Sequence, residues 1–204
     1  MKQIKLFDPY TDKLEKIAIN KVLESNFWAS GAGNGNVKKF EEKFSKYVNS
    51  KSSVAVNSGT AALNLALSMY DIKNREVILP SLSFVATANA IVENGGIPKF
   101  VDINEKTLCI EPEKILDSIS NKTKVILPVH FGGFSSDLAE ISKICKKNKI
   151  HLIEDAAHST GATYKNRKIG SHGDLVCFSF HPVKNLAMPT GGLIAINSKN
   201  YKKI

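Results

Sequence analysis

Short apolar runs alternate with helix-forming segments from residue 53 to residue 153, and this alternation restricts the fold more than any other feature of the chain. Strands are predicted at 53–56, 76–79, 99–101, 124–127 and 150–153, and helices at 61–69, 83–93, 112–119 and 137–147. Strands that alternate with helices form βαβ units with right-handed crossovers. The sequence therefore predicts an α/β fold, with a three-layer, mostly parallel sheet that carries helices on both faces.

Two helices are predicted ahead of the sheet, at residues 12–25 and 37–48. Thr11 or Asp12 is the expected N-cap of the first helix, as Ser81 or Ser83 is for the helix at 83–93. The second helix is amphipathic, with three aromatic residues on one face: Phe40, Phe44 and Tyr47.

A glycine-rich segment at 30–36 separates these two helices. It lacks the Gly-Lys-Ser/Thr ending of a Walker loop, and no strand leads into it. The segment is interpreted as a plain connector, or alternatively as a mobile loop that contacts a substrate.

An acid and a lysine follow two apolar runs near the end of the chain. The run at 151–153 leads into Glu154 and Asp155, and the run at 175–180 precedes Lys184. Both runs predict buried parallel strands, so the two side chains are expected at one sheet edge, where open α/β sheets bind ligands. Such a pair suits pyridoxal phosphate, which needs a lysine and a carboxylate beside its pyridine nitrogen. A helix cap and a solvated surface lysine would explain the same residues.

The segment Asn57-Ser58-Gly59-Thr60 joins a predicted strand to a predicted helix. Free backbone amides and the helix dipole at such a junction attract a phosphate, and glycine allows close approach to the backbone. The hydroxyls of Ser58 and Thr60 can add hydrogen bonds. A simple helix cap is the alternative interpretation of this segment.

Charge, hydropathy and cysteine content exclude several functions. The net charge is +9, but the lysines are dispersed and not interleaved with aromatic residues, so nucleic acid is not an expected partner. The positively charged residues either form a solvated surface or help to attract an anionic nucleotide-linked substrate.

No apolar run approaches the roughly 20 residues of a membrane span, and no signal peptide is evident, so a cytoplasmic protein is expected. The three cysteines lack metal-ligand spacing and are expected to be reduced thiols, with no metal site.

Five motifs occur in the order that is typical of one family. They are NSGTAAL at 57–63, PSLSF at 80–84, PVH at 128–130, EDAAH at 154–158 and FSFHPVKN at 178–185. Together they resemble the DegT-type nucleotide-sugar aminotransferases, which are pyridoxal-phosphate enzymes with the aspartate-aminotransferase fold. The resemblance covers nearly the whole chain.

The resemblance implies a role for each matching residue. Lys184 would bond covalently to the cofactor aldehyde, Asp155 would pair with the pyridine nitrogen, and Phe84 would stack on the ring. The residues implied to hold the phosphate are Gly59, Thr60 and Ser179.

The resemblance is less informative for the histidines. His158 stands near the ring hydroxyl, where the family usually has glutamine. His130 either lines the pocket or is a hydrogen-bonded structural residue. His181 is given no role and is expected to pack under the lysine loop, and Asn185 is expected to be structural.

The implied reaction moves an amino group from an amino acid, commonly glutamate, to a nucleotide-linked ketosugar used in cell-surface or secondary-metabolite sugars. The freed amine of Lys184 would carry the proton between substrate and cofactor carbons. Some relatives have histidine instead of this lysine and are dehydratases, so Lys184 favours transamination. Full-length members are implied to be homodimers.

Members of the family continue for roughly as long again beyond the length of this chain. We therefore expect residues 1–50 to form an N-terminal helical segment with its loop, residues 51–204 to form a truncated cofactor-binding large domain, and the small C-terminal domain to be absent. Little aminotransferase activity is expected of residues 1–204 alone. The alternatives are a fold relative that acts on amino acids, such as a desulfurase or an aldolase, and a non-enzymatic remnant or binding module.

Overall fold

The computed structural model describes residue 5 and residues 8–28 and 35–198 of the chain. The glycine-rich segment at 30–36 lies outside these residues except for Gly35 and Asn36, so its two interpretations stay predictions. The helices are α1 (Lys13–Glu24), α2 (Asn36–Val48), α3 (Gly59–Ser68), α4 (Val85–Glu93), α5 (Pro112–Ser118) and α6 (Leu138–Asn148). The strands are β1 (Ser52–Val56), β2 (Glu76–Pro80), β3 (Ile97–Val101), β4 (Thr123–Ile126), β5 (His151–Asp155), β6 (Thr163–Tyr164), β7 (Arg167–Lys168), β8 (Leu175–Ser179) and β9 (Gly192–Ile196).

Seven strands form one sheet in the order β1-β9-β8-β5-β4-β2-β3. Strand β9 runs antiparallel to both of its neighbours, β1 and β8, whereas all the other pairs are parallel. The carboxyl ends of six strands therefore lie at the same edge, and the prediction of a mostly parallel sheet is confirmed.

Helices cover both faces of the sheet, because successive side chains of each strand point to opposite sides. On one face, Ile153 and Leu175 pack in a cluster that includes residues of α3 and α4. On the other face, Val176 packs with residues of α2 and Leu152 packs with residues of α5 and α6. This arrangement confirms the predicted three layers.

The aromatic face predicted for α2 anchors that helix to the sheet. The Phe44 ring is 4% exposed and lies 5.0 Å from the Phe178 ring and 5.6 Å from the Phe180 ring, measured between centroids. Phe40 contacts Phe180 edge-on. Tyr47 belongs to the same face but is half exposed, and the Lys168 ammonium lies over its ring.

The prediction of the helix caps is confirmed at one helix and wrong at another. Asp12 caps α1, accepting the Leu14 amide and completing a capping box with Glu15. The N-cap of α4 is Phe84, without a side-chain hydrogen bond, and not Ser81 or Ser83. The chain is still tied to the sheet at Ser81, whose N–H donates to the Val101 carbonyl, so the helix begins later than the serines suggest.

The short hairpin of β6 and β7 was not predicted. It turns at Lys165 and Asn166, which both adopt positive φ angles, at 47° and 62°.

Within the described residues, no helix is long and apolar enough to span a bilayer, and no cluster of His, Cys, Asp and Glu is suited to a metal ion. The division of the chain at residue 50 stays a prediction.

Candidate active site

A cavity of about 250 Å³ opens at the carboxyl edge of the sheet, beside the ends of β5 and β8. It lies between the start of α3, the start of α4 and the loop that follows β8. All the residues predicted for the site line it: Gly59, Thr60, Phe84, Asp155, His158, Ser179 and Lys184.

The Asp155 carboxylate is held in a fixed orientation at the end of β5. It is 4% exposed, and the Thr87 hydroxyl donates to its Oδ2 at 2.9 Å while the Ala157 N–H donates to its Oδ1 at 3.1 Å. The backbone is also fixed, because the Asp155 N–H donates to the Pro128 carbonyl. A buried anion so held is able to pair with a cationic group inside the cavity.

The first turn of α3 forms another part of the cavity wall. Ser58 caps this helix by accepting the Ala61 N–H at 3.1 Å. A Cβ added at Gly59 would lie 2.6 Å from the Ser179 Cβ, so only glycine lets the helix start come this close to the end of β8. The start of α3, including Thr60, therefore lines the cavity beside Ser179, and the positive end of the helix dipole there favours an anion.

Lys184 reaches the cavity from the loop after β8. Its backbone N–H donates to the His181 carbonyl at 2.8 Å, and this bond fixes the turn that carries the side chain. Burial lowers the pKa of the Lys184 amine, and the charge of Asp155 partly opposes that shift. The amine is therefore neutral, and nucleophilic, at a lower pH than that of an exposed lysine.

His158 lines the same cavity, and its ring contacts the loop that follows β4. The Gly132 N–H donates to its Nδ1 at 3.3 Å, and the Phe131 ring meets it edge-on at 5.6 Å. Burial lowers the pKa of His158, the Lys184 charge lowers it further, and Asp155 acts in the opposite direction. The imidazole is thus favoured in its neutral form, as a polar group beside the acid and the lysine.

The other candidate residues separate into structural and pocket-lining positions. His130 is fully buried and hydrogen-bonded, so its structural interpretation holds. His181 is exposed and lines the cavity, which corrects the expectation that it packs under the lysine loop. The Asn185 side chain donates to the Thr160 carbonyl and fixes the loop, as predicted.

Sequence reasoning missed Thr87, which is fully buried against Asp155. It also missed Cys177, which lines the cavity and whose thiol pKa is raised well above its usual value by burial. Thr87 stands three residues after Phe84 and so on the same side of α4, which is the one signal that points to it.

These features define a member of a known enzyme family. The model of the DegT/DnrJ/EryC1/StrS aminotransferase family matches residues 9–204, and the chain belongs to that family. It is 42% identical over 192 residues to the spore coat polysaccharide biosynthesis protein SpsC of Bacillus subtilis, covering 94% of this chain and 49% of that protein.

Solved structures of the family share the fold. Helicobacter pylori PseC, an aminotransferase involved in the biosynthesis of pseudoaminic acid, is similar with a TM-score of 0.91 and 30% identity, over 98% of this chain and 53% of that one. The pyridoxal-phosphate form of the putative sugar aminotransferase Spr1654 of Streptococcus pneumoniae is similar with a TM-score of 0.90 and 29% identity, over 96% and 53%. The chain therefore spans about half the length of these relatives.

Replacing Thr87 with valine should destabilise the protein. The substitution keeps the shape but removes the buried donor to Asp155 Oδ2, and an unsatisfied buried acceptor costs about 1–3 kcal/mol. The free energy of unfolding in urea measures the loss. Thr163→Val is the matched control, because Thr163 is exposed in β6 and should change stability by less than about 0.5 kcal/mol. Equal effects of the two substitutions would contradict the importance of the bond.

The amine of Lys184 should react at a lower pH than a surface lysine does. Lys147, which is exposed in α6, is the reference. Labelling with trace acetic anhydride between pH 7 and 11, read by peptide mass spectrometry, should give a lower midpoint for Lys184. Asp155→Asn should lower this midpoint further, since the aspartate charge raises the pKa of Lys184. A midpoint at or above that of Lys147 would refute the effect of burial.

Proposed function

We propose that this protein is a pyridoxal-phosphate-dependent sugar aminotransferase that transfers an amino group from an amino acid, glutamate, to a nucleotide-linked ketosugar. The observation that carries the proposal is that Asp155 and Lys184 line one cavity, each influencing the same histidine electrostatically. Membership of the aminotransferase family supports the reaction class.

The residues of the cavity fit pyridoxal phosphate. A phosphate suits the first turn of α3, because a helix N-terminus attracts anions and the hydroxyls of Thr60 and Ser179 can add hydrogen bonds. A protonated pyridine nitrogen suits the buried carboxylate of Asp155, which already accepts two hydrogen bonds. When bound, the cofactor supplies an electrophilic carbonyl and a cationic ring that accepts electrons from the substrate carbon.

Each side chain then has a defined task in the reaction. The neutral amine of Lys184 would hold the cofactor aldehyde and, when free, would carry a proton between the two reacting carbons. Asp155 would keep the ring nitrogen protonated. Phe84, which is 70% exposed, would cover the ring face, and His158 would be the partner of the ring oxygen.

The substrate class rests on the relatives and on charge. SpsC is named for spore coat polysaccharide biosynthesis and PseC for pseudoaminic acid biosynthesis, so a sugar of the cell surface or of a secondary metabolite is the proposed acceptor. A net charge of +9 would favour the approach of an anionic nucleotide-linked sugar.

The active protein is proposed to be a cytoplasmic homodimer of full-length chains. Its relatives are about twice as long, so residues 1–204 alone are expected to turn over substrate slowly or not at all.

Reductive trapping tests the cofactor assignment. Incubation with pyridoxal phosphate followed by borohydride should attach the cofactor to Lys184, and peptide mass spectrometry identifies the modified residue. Lys184→Ala should abolish the label, whereas Lys143→Ala, on the exposed face of α6, should retain it. A non-enzymatic relative would give no label above that of the urea-unfolded chain. A label distributed over surface lysines would also refute the assignment.

A further inference from the structure

Two buried titratable side chains lie beside the site without a task in the proposed reaction. His130 and Glu154 are both fully buried, and His130 Nε2 lies 2.8 Å from Glu154 Oε2. Glu154 precedes Asp155 in β5, so its side chain points to the opposite face of the sheet. The pair therefore lies behind the cavity and does not line it.

The hydrogen bonds of His130 determine where its proton lies. The Ser136 N–H donates to Nδ1 at 3.1 Å, so Nδ1 is an acceptor and the neutral ring carries its proton on Nε2. That proton is donated to Glu154, whose other carboxylate oxygen accepts the Gly173 N–H. Both ring nitrogens and both carboxylate oxygens are thus used.

This pair fixes the loop at 130–136 to the end of β5. The His130 N–H donates to the Asp155 carbonyl at 3.1 Å, and the Ser136 hydroxyl donates to the Val129 carbonyl at 3.2 Å. Between these two anchors the loop forms a tight turn at Phe131–Gly133, in which Gly132 has a φ of 58°. The His130 side chain also spans this loop, because its Nδ1 accepts the Ser136 N–H while its Nε2 is bonded to Glu154, so the position of the turn depends on that bond.

The same turn holds His158 in the cavity. Its Gly132 N–H donates to His158 Nδ1, and the Phe131 ring meets the imidazole edge-on. Nδ1 of His158 is therefore an acceptor, and the neutral ring carries its proton on Nε2. A continuous set of contacts runs from Glu154 through His130 and the turn to His158.

We propose that Glu154 and His130 are positioning residues that hold His158 as a donor through Nε2 to a ligand of the cavity. A role in stability alone is the weaker explanation, because a buried polar pair contributes little compared with apolar residues of similar volume. The identity of that ligand as the cofactor ring oxygen rests on the proposed function. The tautomer of His158 does not.

Nitrogen NMR of the cofactor-free 204-residue chain tests the proposal without any substitution. Long-range ¹H–¹⁵N spectra at pH 8 should show His130 and His158 each as a single neutral tautomer with the proton on Nε2. A proton on Nδ1 of His158, or an even mixture of the two tautomers, would overturn the proposal. This result does not depend on whether the chain binds pyridoxal phosphate.

Glu154→Gln tests the connection to His158, because the amide cannot accept from both Gly173 and His130 as the carboxylate does. The Nδ1 resonance of His158 should shift toward its protonated value. Ser136→Ala removes one anchor of the loop, the hydroxyl bond to the Val129 carbonyl, and should produce a smaller shift in the same direction. This second variant tests the connection if the Glu154→Gln protein does not fold. Ser53→Ala is the matched control, since its buried hydroxyl bonds to the Glu41 carbonyl far from the loop, and it should leave the resonance unchanged. An unshifted His158 resonance in both Glu154→Gln and Ser136→Ala would contradict the proposal.

Binding of pyridoxal phosphate separates positioning from a general loss of structure. Glu154→Gln should raise the dissociation constant about tenfold, the effect of losing one hydrogen bond. In a His158→Ala background the same substitution should raise it less than about twofold, because the residue through which it acts is gone. An equal increase in both backgrounds would refute a path through His158. Absence of binding by the unmodified chain would refute the proposed function and leave the NMR result to decide the positioning role.

Discussion

The register of β5 against β8 is the constraint on which the site depends. The two strands are parallel and pair Asp155 with Cys177. Two acids stand side by side in β5, and the alternation of a strand sends Asp155 into the cavity and Glu154 to the other face. A slip of one residue would exchange them, placing the acid that is hydrogen-bonded to His130 in the cavity and removing Thr87 from its acceptor.

Small residues allow the rest of the site to assemble around that register. A side chain at Gly59 would collide with Ser179, and one at Gly192 would overlap the backbone of Ser58. The start of α3, the end of β8 and the start of β9 are therefore closer together than larger side chains permit. This close packing places the positive end of a helix in the wall of the cavity that the buried carboxylate of Asp155 also lines.

Sequence patterns predicted the scaffold well because its signals are local. Apolar runs, turn residues and helix formers predicted the parallel sheet and the helices that cover it, and the ends of two strands pointed to Asp155 and Lys184. The motifs of the family then supplied Gly59, Phe84 and Ser179. All of these line the cavity in the structure.

The features that were missed depend on contacts between distant parts of the chain or on atypical turn residues. Thr87 meets Asp155 across 68 positions, and no spacing rule connects them. The hairpin at Lys165 and Asn166 has positive φ angles without a glycine to signal them. The serines before α4 resemble caps, but the sheet retains the chain until Phe84.

In the proposed reaction, the amine of Lys184 and the carboxylate of Asp155 serve opposite ends of one bound ring. A crystal structure of the chain grown with pyridoxal phosphate would show this arrangement. We expect continuous density from Lys184 Nζ to the cofactor, with the pyridine nitrogen about 2.7–3.2 Å from an Asp155 oxygen. A cofactor bound elsewhere, or one attached to Lys184 with its ring nitrogen directed away from Asp155, would contradict it.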